Sequence, residues 1–551
     1  MQSFKISCLF VILFALFSFF SCDPSTGNTE KELSYPQLLQ SNAAKHLEIL
    51  SADKFEGRMP CTKGDTLTTT YLLQELGRIG VLPEDQNKAT QDVELVSIES
   101  EMEDEFVFKS GKGELTLAKG NDIVIHSERS QDEIRLEDAE LVFCGYGIRS
   151  TAENWDDYEG IDMKNKIAVV LVNDPGFGSD DSTFFQGNTM TIGGRWTRKY
   201  DVADEVGAAG VLIIHETTSA GYPWFVVQSS WTGAQQGLAG IDRSDDCPIK
   251  GWIHLQKAQE LFSFAGMELK TAIQDARKRD FKAKPMGVTL STTLKNTYSS
   301  CTSRNIIGLL PGTTRADEYI IYTTHWDHLG IGREVDGDVI YNGALDNASG
   351  TSSLLAMAEA MKNAPVQQER SVIFLFVTAE EQGLLGSEYY AENPIYPLEK
   401  TVANINLDGL NPAGKMKDLT IVGMGYSEMD VWAKKYAEKN GRYVMPGQEP
   451  EKGFFFRSDQ FNFAKNGVPV LYAEGGYDHA EKGKEYAMEF KKTYTSKRYH
   501  APSDEFDETW NFAGMMQDAQ LMSDIGWGLA NSDAWPQWSE KSEFQRPETL
   551  D

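Results

Sequence analysis

The sequence predicts an α/β protein: a mixed, mostly parallel sheet sandwiched by helices, with a smaller β-rich insertion. Three observations carry this reading. From about residue 296 to 535, apolar runs alternate with amphipathic helical patterns, as expected for strands covered on both faces. From about 126 to 290, short apolar runs stand between Gly- and aromatic-rich loops. The chain has 551 residues, 41% hydrophobic and 24% charged, an ordinary globular composition with room for two or three folded units.

The elements follow in order. Residues 1–21 read as a signal peptide: Lys5 supplies one positive charge, and Leu9 to Phe20 is an apolar run too short to span a bilayer. Ser21-Cys22 then resembles a lipobox, which implies cleavage before Cys22, acylation of its thiol and a lipid anchor in the periplasm or at the cell surface. Residues 22–34 read as a tether. Residues 35–125 form the first part of the main domain. There Leu47 and Leu50, then Leu72, Leu76 and Ile79, recur at helical spacing, and Gly80 ends the pattern. Residues 126–295 form the insertion, with strands expected at Ala139 to Phe143, Ile167 to Val172 and Gly210 to Ile214, and a helix at Arg198 to Val206. Residues 296–551 complete the main domain. Its expected strands are Tyr319 to Thr323, Val372 to Val377, Val402 to Leu407, Leu419 to Val422 and Val468 to Tyr472. Its expected helices are Ser349 to Lys362, Gly383 to Ala391, Glu428 to Lys439 and Phe512 to Leu529.

Charge and cysteine usage exclude some functions. A formal charge of −30 argues against nucleic-acid binding, which needs a basic patch. Beyond Cys8 and Cys22, the cysteines are Cys61, Cys144, Cys247 and Cys301. They form no CxxC pair, so a cysteine-rich zinc site is excluded, while a disulfide of unassigned pairing is permitted.

The chemistry lies where the last region's strands end. His325 and Asp327 follow the first strand, Glu380 and Glu381 the second, and Asp408 the third. Ligands of open α/β sheets bind beyond the carboxyl ends of strands. Asp346 precedes a helix, and His500 follows Tyr499 in a polar loop. Taken singly, each has a plainer explanation: a packed histidine, a helix N-cap, a solvated acidic pair. Together they are a donor set of imidazoles and carboxylates suited to zinc. Two ions roughly 3.5–4 Å apart need a bridging carboxylate. Asp346 would bridge, with His325 and Asp408 on one ion and Glu381 and His500 on the other. Asp327 would orient His325 through its second N–H. Glu380 would act as general base.

These residues resemble the di-zinc exopeptidase family of aminopeptidase Y, bacterial leucyl aminopeptidases and glutamate carboxypeptidase. The matching stretches are Thr324 to His328, Asn342 to Gly350, Thr378 to Glu381, Asn406 to Asp408 and Tyr499 to Asp504, with Leu50 to Arg58 resembling an amino-terminal signature. The resemblance implies the zinc-exopeptidase fold, two zinc ions, a peptide substrate and an insertion of the protease-associated (PA) type. It also implies that Tyr499 helps stabilise the oxyanion. Gln460 stands where relatives often carry His. Aminopeptidase activity is expected. A carboxypeptidase of the same fold and a non-catalytic receptor-like protein remain the alternatives, and the oligomeric state is left open.

Overall fold

Continuous apolar runs become strands buried on both faces. Arg370–Val377 and Thr401–Asn406 are buried at every residue, and so is Gly210–His215. The computed structural model describes residues 34–540 and 542–546. The expected signal peptide, Cys22 and the tether up to residue 33 lie outside the described residues.

Sixteen strands share one sheet. The first nine are β1 (Thr90–Glu101), β2 (Glu105–Ser110), β3 (Gly113–Ala118), β4 (Ile123–His126), β5 (Glu133–Phe143), β6 (Lys166–Leu171), β7 (Gly210–His215), β8 (Gln235–Leu238) and β9 (Ile249–His254). Then come β10 (Lys284–Leu310), β11 (Arg315–His325), β12 (Arg370–Val377), β13 (Thr401–Asn406), β14 (Asp418–Val422), β15 (Tyr443–Pro446) and β16 (Val470–Gly475). Along the sheet the order is β15-β14-β16-β13-β11-β12-β10-β5-β6-β7-β9-β4. Parallel pairings fall in two blocks, β12-β11-β13-β16 and β5-β6-β7-β9, and in the edge pair β14-β15.

Between the blocks runs β10, 27 residues long. Its first part pairs antiparallel with β5, its middle with β1 and its end with β12. The strand therefore passes through residue 295 without a break. The sequence concealed it because its burial largely alternates, with Met286, Val288, Leu290 and Leu294 inward between Thr and Ser.

Helices cover the sheet. They include α1 (Gln40–Leu50), α2 (Lys63–Ile79), α3 (Trp196–Glu205), α4 (Leu255–Ala265), α5 (Leu269–Ala276), α6 (Ser349–Lys362), α7 (Leu385–Glu392), α8 (Met429–Lys439), α9 (Gly483–Lys497) and α10 (Ala513–Ala530). The region expected to be β-rich thus carries α4 and α5 as well. Each buries only a short stripe, Ala258, Leu261 and Phe262 in α4 and Leu269, Ala272 and Ala276 in α5, too brief to register as a helical period.

A disulfide joins Cys61, just before α2, to Cys301 on β10, with Cα atoms 5.9 Å apart. Cys144 and Cys247 are buried thiols. No described helix is long and apolar enough to cross a membrane.

Candidate metal centre

The parallel arrangement of β11, β12 and β13 brings three strand ends to one edge of the sheet. His325 closes β11. Its Nε2 lies 3.3 Å from Asp346 Oδ1 and 3.4 Å from Asp408 Oδ1. The other Asp346 oxygen lies 3.4 Å from His500 Nε2, which is also 3.0 Å from Glu381 Oε2. Asp346 is therefore shared between the two histidines. Donor atoms of His325, Asp346 and Glu381 lie within 4.8 Å of one another, and so do those of His325, Glu380 and Asp408. All five expected ligands converge, with Glu380 beside them.

The atoms fit a metal better than they fit one another. Buried His325 Nε2 has no hydrogen-bond partner among the described residues, although two carboxylate oxygens face it. A lone pair aimed at anionic oxygens at that distance calls for a cation between them. Imidazole and carboxylate donors suit zinc.

Surrounding groups hold these donors. The Asn347 amide donates to Thr324 Oγ1 and to the Leu407 carbonyl, 3.0 Å each, and its oxygen accepts from the Gly350 and Gly409 N–H groups. One side chain thus ties the segments carrying His325, Asp346 and Asp408. Gly350 permits the close approach of α6: a Cβ there would meet Asn347 Oδ1 at 2.4 Å and the Leu407 carbonyl at 2.6 Å. The Asp504 carboxylate accepts from the N–H groups of Leu345 and Asp346. Buried Arg58 donates to the carbonyls of Leu50, Trp326, Asn342 and Gly343, clamping two ligand-bearing loops. His500 Nδ1 is hydrogen bonded to Ser230 Oγ, contributed by the insertion, at 3.0 Å. Ala379 and His500 both adopt left-handed backbone, at φ 53° and 55°, a strain of roughly 1–3 kcal/mol each that concentrates at functional sites.

The Asp327 side chain is turned towards backbone N–H groups. Its carboxylate accepts from the N–H groups of Glu380, at 3.1 Å, and Glu381, at 3.4 Å. Its Oδ1 is 3.7 Å from His325 Nδ1, and that nitrogen's closer acceptor is the Asp327 carbonyl, at 3.3 Å. Tyr499 packs against His500 with ring centroids 4.0 Å apart. His328 is fully buried, and its Nδ1 is hydrogen bonded to Glu381 Oε1 at 2.6 Å. His479 lies elsewhere: its Nδ1 accepts from the N–H groups of Glu481 and Lys482. Gln460 is a scaffold residue that accepts from Asn406 and donates to the Phe455 carbonyl.

Electrostatics separate the adjacent glutamates. Burial pushes Glu380 well above the usual carboxylate range; His325 opposes this, while Glu381, Asp459 and Asp408 add to it. Burial also acts on Glu381, but His500 and His328 outweigh it and hold that carboxyl at about 2.

Two cavities meet at this cluster. Tyr222, Glu380, Arg457, Tyr499 and His500 line both. One, of about 200 Å³, is aromatic, with Tyr472, Tyr477, Phe490 and Tyr494 in its wall. The other, of about 490 Å³, opens towards the insertion. Sequence reasoning missed Ser230 and Tyr222 and gave Arg58 and Arg457 no role, because their site partners lie far away in the chain.

Fold and donor set together define an α/β metalloprotein with its site at the carboxyl edge of the sheet. Residues 305–523 match the model of peptidase family M28. Aminopeptidase NAALADL1 of Mus musculus is 33% identical over 129 residues, 22% of this chain and 16% of that protein. Aminopeptidase YwaD of Bacillus subtilis (strain 168) is 29% identical over 184 residues, 32% of this chain and 38% of that protein. The chain thus spans well under half the length of these relatives. In fold it is similar to an aminopeptidase from Aneurinibacillus sp. strain AM-1, with a TM-score of 0.52 and 18% identity, covering 93% of this chain and 98% of that one. It is likewise similar to the zinc aminopeptidase BSAP from Bacillus subtilis, with a TM-score of 0.50 and 19% identity, covering 90% and 97%.

Proposed function

We propose that this protein is a zinc-dependent exopeptidase that releases amino-terminal residues from peptides. One observation carries the reading: His325, Asp346, Glu381, Asp408 and His500 meet at one point, with Asp346 shared between the two histidines. The match of residues 305–523 to peptidase family M28 supports it. His325, Asp346 and Asp408 would hold one zinc, and Asp346, Glu381 and His500 a second. Bound there, zinc would supply Lewis acidity and an acidified water.

The chain's own residues then do the rest. Glu380, raised in pKa and adjacent to the cluster, takes a proton from the attacking water and delivers it to the leaving amine. The Asp327 carboxylate fixes the Glu380 backbone. The Tyr499 hydroxyl donates to the developing oxyanion. Tyr472, Tyr477 and Phe490 receive an apolar side chain. We further propose export and anchoring through a lipid on Cys22, supported by the apolar run at residues 9–20 and by the Cys61–Cys301 disulfide, which an oxidising compartment favours.

The test is a panel of aminoacyl-nitroanilides and N-blocked peptides with zinc-loaded, chelated and Glu380→Gln protein. Zinc-dependent release from free-amino substrates is expected, with kcat lowered about 10²- to 10⁴-fold in Glu380→Gln. Cleavage of N-blocked peptides from the carboxyl end would reverse the polarity. Absence of turnover with zinc bound would overturn the enzymatic reading.

A further inference from the structure

The larger cavity extends past the metal ligands into the insertion. Glu380, Glu381 and His500 line it, and so do His126, Trp196, Tyr200 and Trp231. Its volume, about 490 Å³, is that of a site for a drug-sized ligand and leaves room for more than one residue beyond a scissile bond. The insertion's rings form a box. His126 stacks on Trp231, with centroids 4.2 Å apart and planes 30° apart. Trp196 meets Trp231 edge to face at 5.4 Å, and Tyr200 meets Trp196 at 5.4 Å and Trp231 at 6.0 Å. His126 and Tyr200 are buried, whereas Trp196 and Trp231 are only half-buried and line the cavity.

The rings of the box carry no charge: burial lowers the His126 pKa below its ordinary value, with Glu128 opposing. Of the charged groups around them, Lys250 pairs with Glu128 and Asp204 at 2.9 Å each, Arg243 with Glu128 at 2.8 Å, and Arg198 with Glu205 at 2.7 Å. Arg195 lies over the Trp196 ring at 5.2 Å. Two uncharged buried atoms of cavity-lining residues, His126 Nδ1 and Gln236 Oε1, make no hydrogen bond among the described residues. A peptide group offers both a donor and an acceptor to such atoms. Trp231 is also set against the metal cluster. It follows the short helix Trp224–Ser230, whose Ser230 hydroxyl is hydrogen bonded to His500 Nδ1 at 3.0 Å and whose Gln228 amide donates to the Gly120 carbonyl at 2.9 Å. Two extended residues cover about 7 Å. A peptide lying beside His500 therefore brings its second residue beyond the scissile bond to this ring.

We propose that the box of His126, Trp196, Tyr200 and Trp231 is a subsite for a bulky apolar side chain, carried by the second residue beyond the scissile bond. The inference rests on the peptidase reading and names its substrate class: peptides of three or more residues with an aromatic residue at that place. Covering the half-open indoles removes apolar surface from water, and edge-to-face neighbours favour an aromatic ring over an aliphatic chain. His126 Nδ1 and Gln236 Oε1 are left for the peptide backbone.

The experiment compares three peptide amides, Leu-Gly-Phe-amide, Leu-Phe-Gly-amide and Leu-Gly-Gly-amide, in the zinc-loaded full chain and in Trp231→Phe, Trp231→Ala and Trp196→Leu. In the parent, kcat/KM for Leu-Gly-Phe-amide is expected to exceed that for Leu-Gly-Gly-amide by about 10- to 100-fold, the range for burying one aromatic side chain, with most of the gain in KM. The ratio should fall towards one in Trp231→Ala and Trp196→Leu and recover in part in Trp231→Phe. Trp196→Leu tests the box without disturbing the residue next to Ser230. A ratio near one in the parent, or one that neither Trp231→Ala nor Trp196→Leu changes, would overturn the proposal. A parent that favours only Leu-Phe-Gly-amide would overturn it as well. Calorimetry with N-acetyl-Gly-Phe-amide and N-acetyl-Gly-Gly-amide reads the subsite without turnover. Phe-dependent binding lost in Trp196→Leu, with no peptide cleaved, would keep the subsite and sink the peptidase. Cleavage with no dependence on Phe would do the reverse.

Discussion

The two parallel blocks of the sheet present acids and histidines at their carboxyl ends in the same way, yet with opposite outcomes. In the insertion, Asp174 follows β6, and His215 and Glu216 stand at the end of β7. In the other block, His325 closes β11, Glu380 and Glu381 follow β12, and Asp408 follows β13. The insertion's polar groups are answered by protein. Asp174 accepts from Gly176 and Thr191, Glu216 caps the turn at Thr218 and Ser219, and His215 Nε2 is hydrogen bonded to the Tyr222 carbonyl. In the second block, carboxylates face histidines and one another with too few donors among them. A strand end thus marks an opportunity for chemistry; lone pairs converging on a common point mark its use.

That contrast can be broken most directly by removing one acid from each side. Asp346→Ala is expected to lose bound zinc and activity, measured by atomic absorption and nitroanilide hydrolysis. Asp174→Ala is expected to keep the parent's zinc content and to lose about 1–3 kcal/mol of stability, because buried donors are left without an acceptor. Zinc loss in Asp174→Ala would erase the distinction. Next in size, Cys61→Ser with Cys301→Ser should cost about 2–5 kcal/mol in denaturant unfolding. Equal stability of the two forms would show that the bond does not brace the strand both blocks share. A third variant, Asn347→Ala, should weaken zinc binding about 10- to 100-fold in competition with a chelator, since its amide orients three ligand segments without touching metal. Unchanged affinity would return Asn347 to a purely structural part.

The smallest effect concerns pH and the insertion alone. Asp157 accepts from Trp155 Nε1 and the Ile148 N–H, and burial raises its pKa from 3.8 to about 7. The folded state therefore holds this proton more tightly than the unfolded state. Its contribution is fully present below pH 4 and is lost as the pH rises through 7. The Tm of the parent minus that of Asp157→Asn should fall over this interval, read by calorimetry at fixed ionic strength. A constant difference would refute the assignment.

Much of the second block was legible in the sequence. Its strands are covered on both faces, so they read as unbroken apolar runs, and the residues just after them could be listed as candidates. The candidate ligands do converge. What escaped has physical reasons. Strand β10 is largely one-sided, so small polar residues interrupt its apolar pattern. Helix α9 buries only Ala487 and leaves no periodic stripe. Arg58 reaches carbonyls 268 and 285 residues away, and Ser230 meets His500 across 270 residues. No local spacing encodes such contacts. Asp327 was assigned a partner from spacing alone, whereas the fold turns its carboxylate towards the Glu380 and Glu381 N–H groups.

The bond between Cys61 and Cys301 has a topological consequence. Its ends are 240 positions apart, so it closes a covalent ring of chain that contains the whole insertion, with Arg195, Tyr222 and Ser230 inside it. A proteolytic nick in an exposed stretch of that ring, such as Asp180 to Thr183, would open the ring without releasing either piece. The cut protein would migrate as one species without reductant and as two with it. Arg58, on the amino-terminal piece, would stay tethered to the half that carries His500.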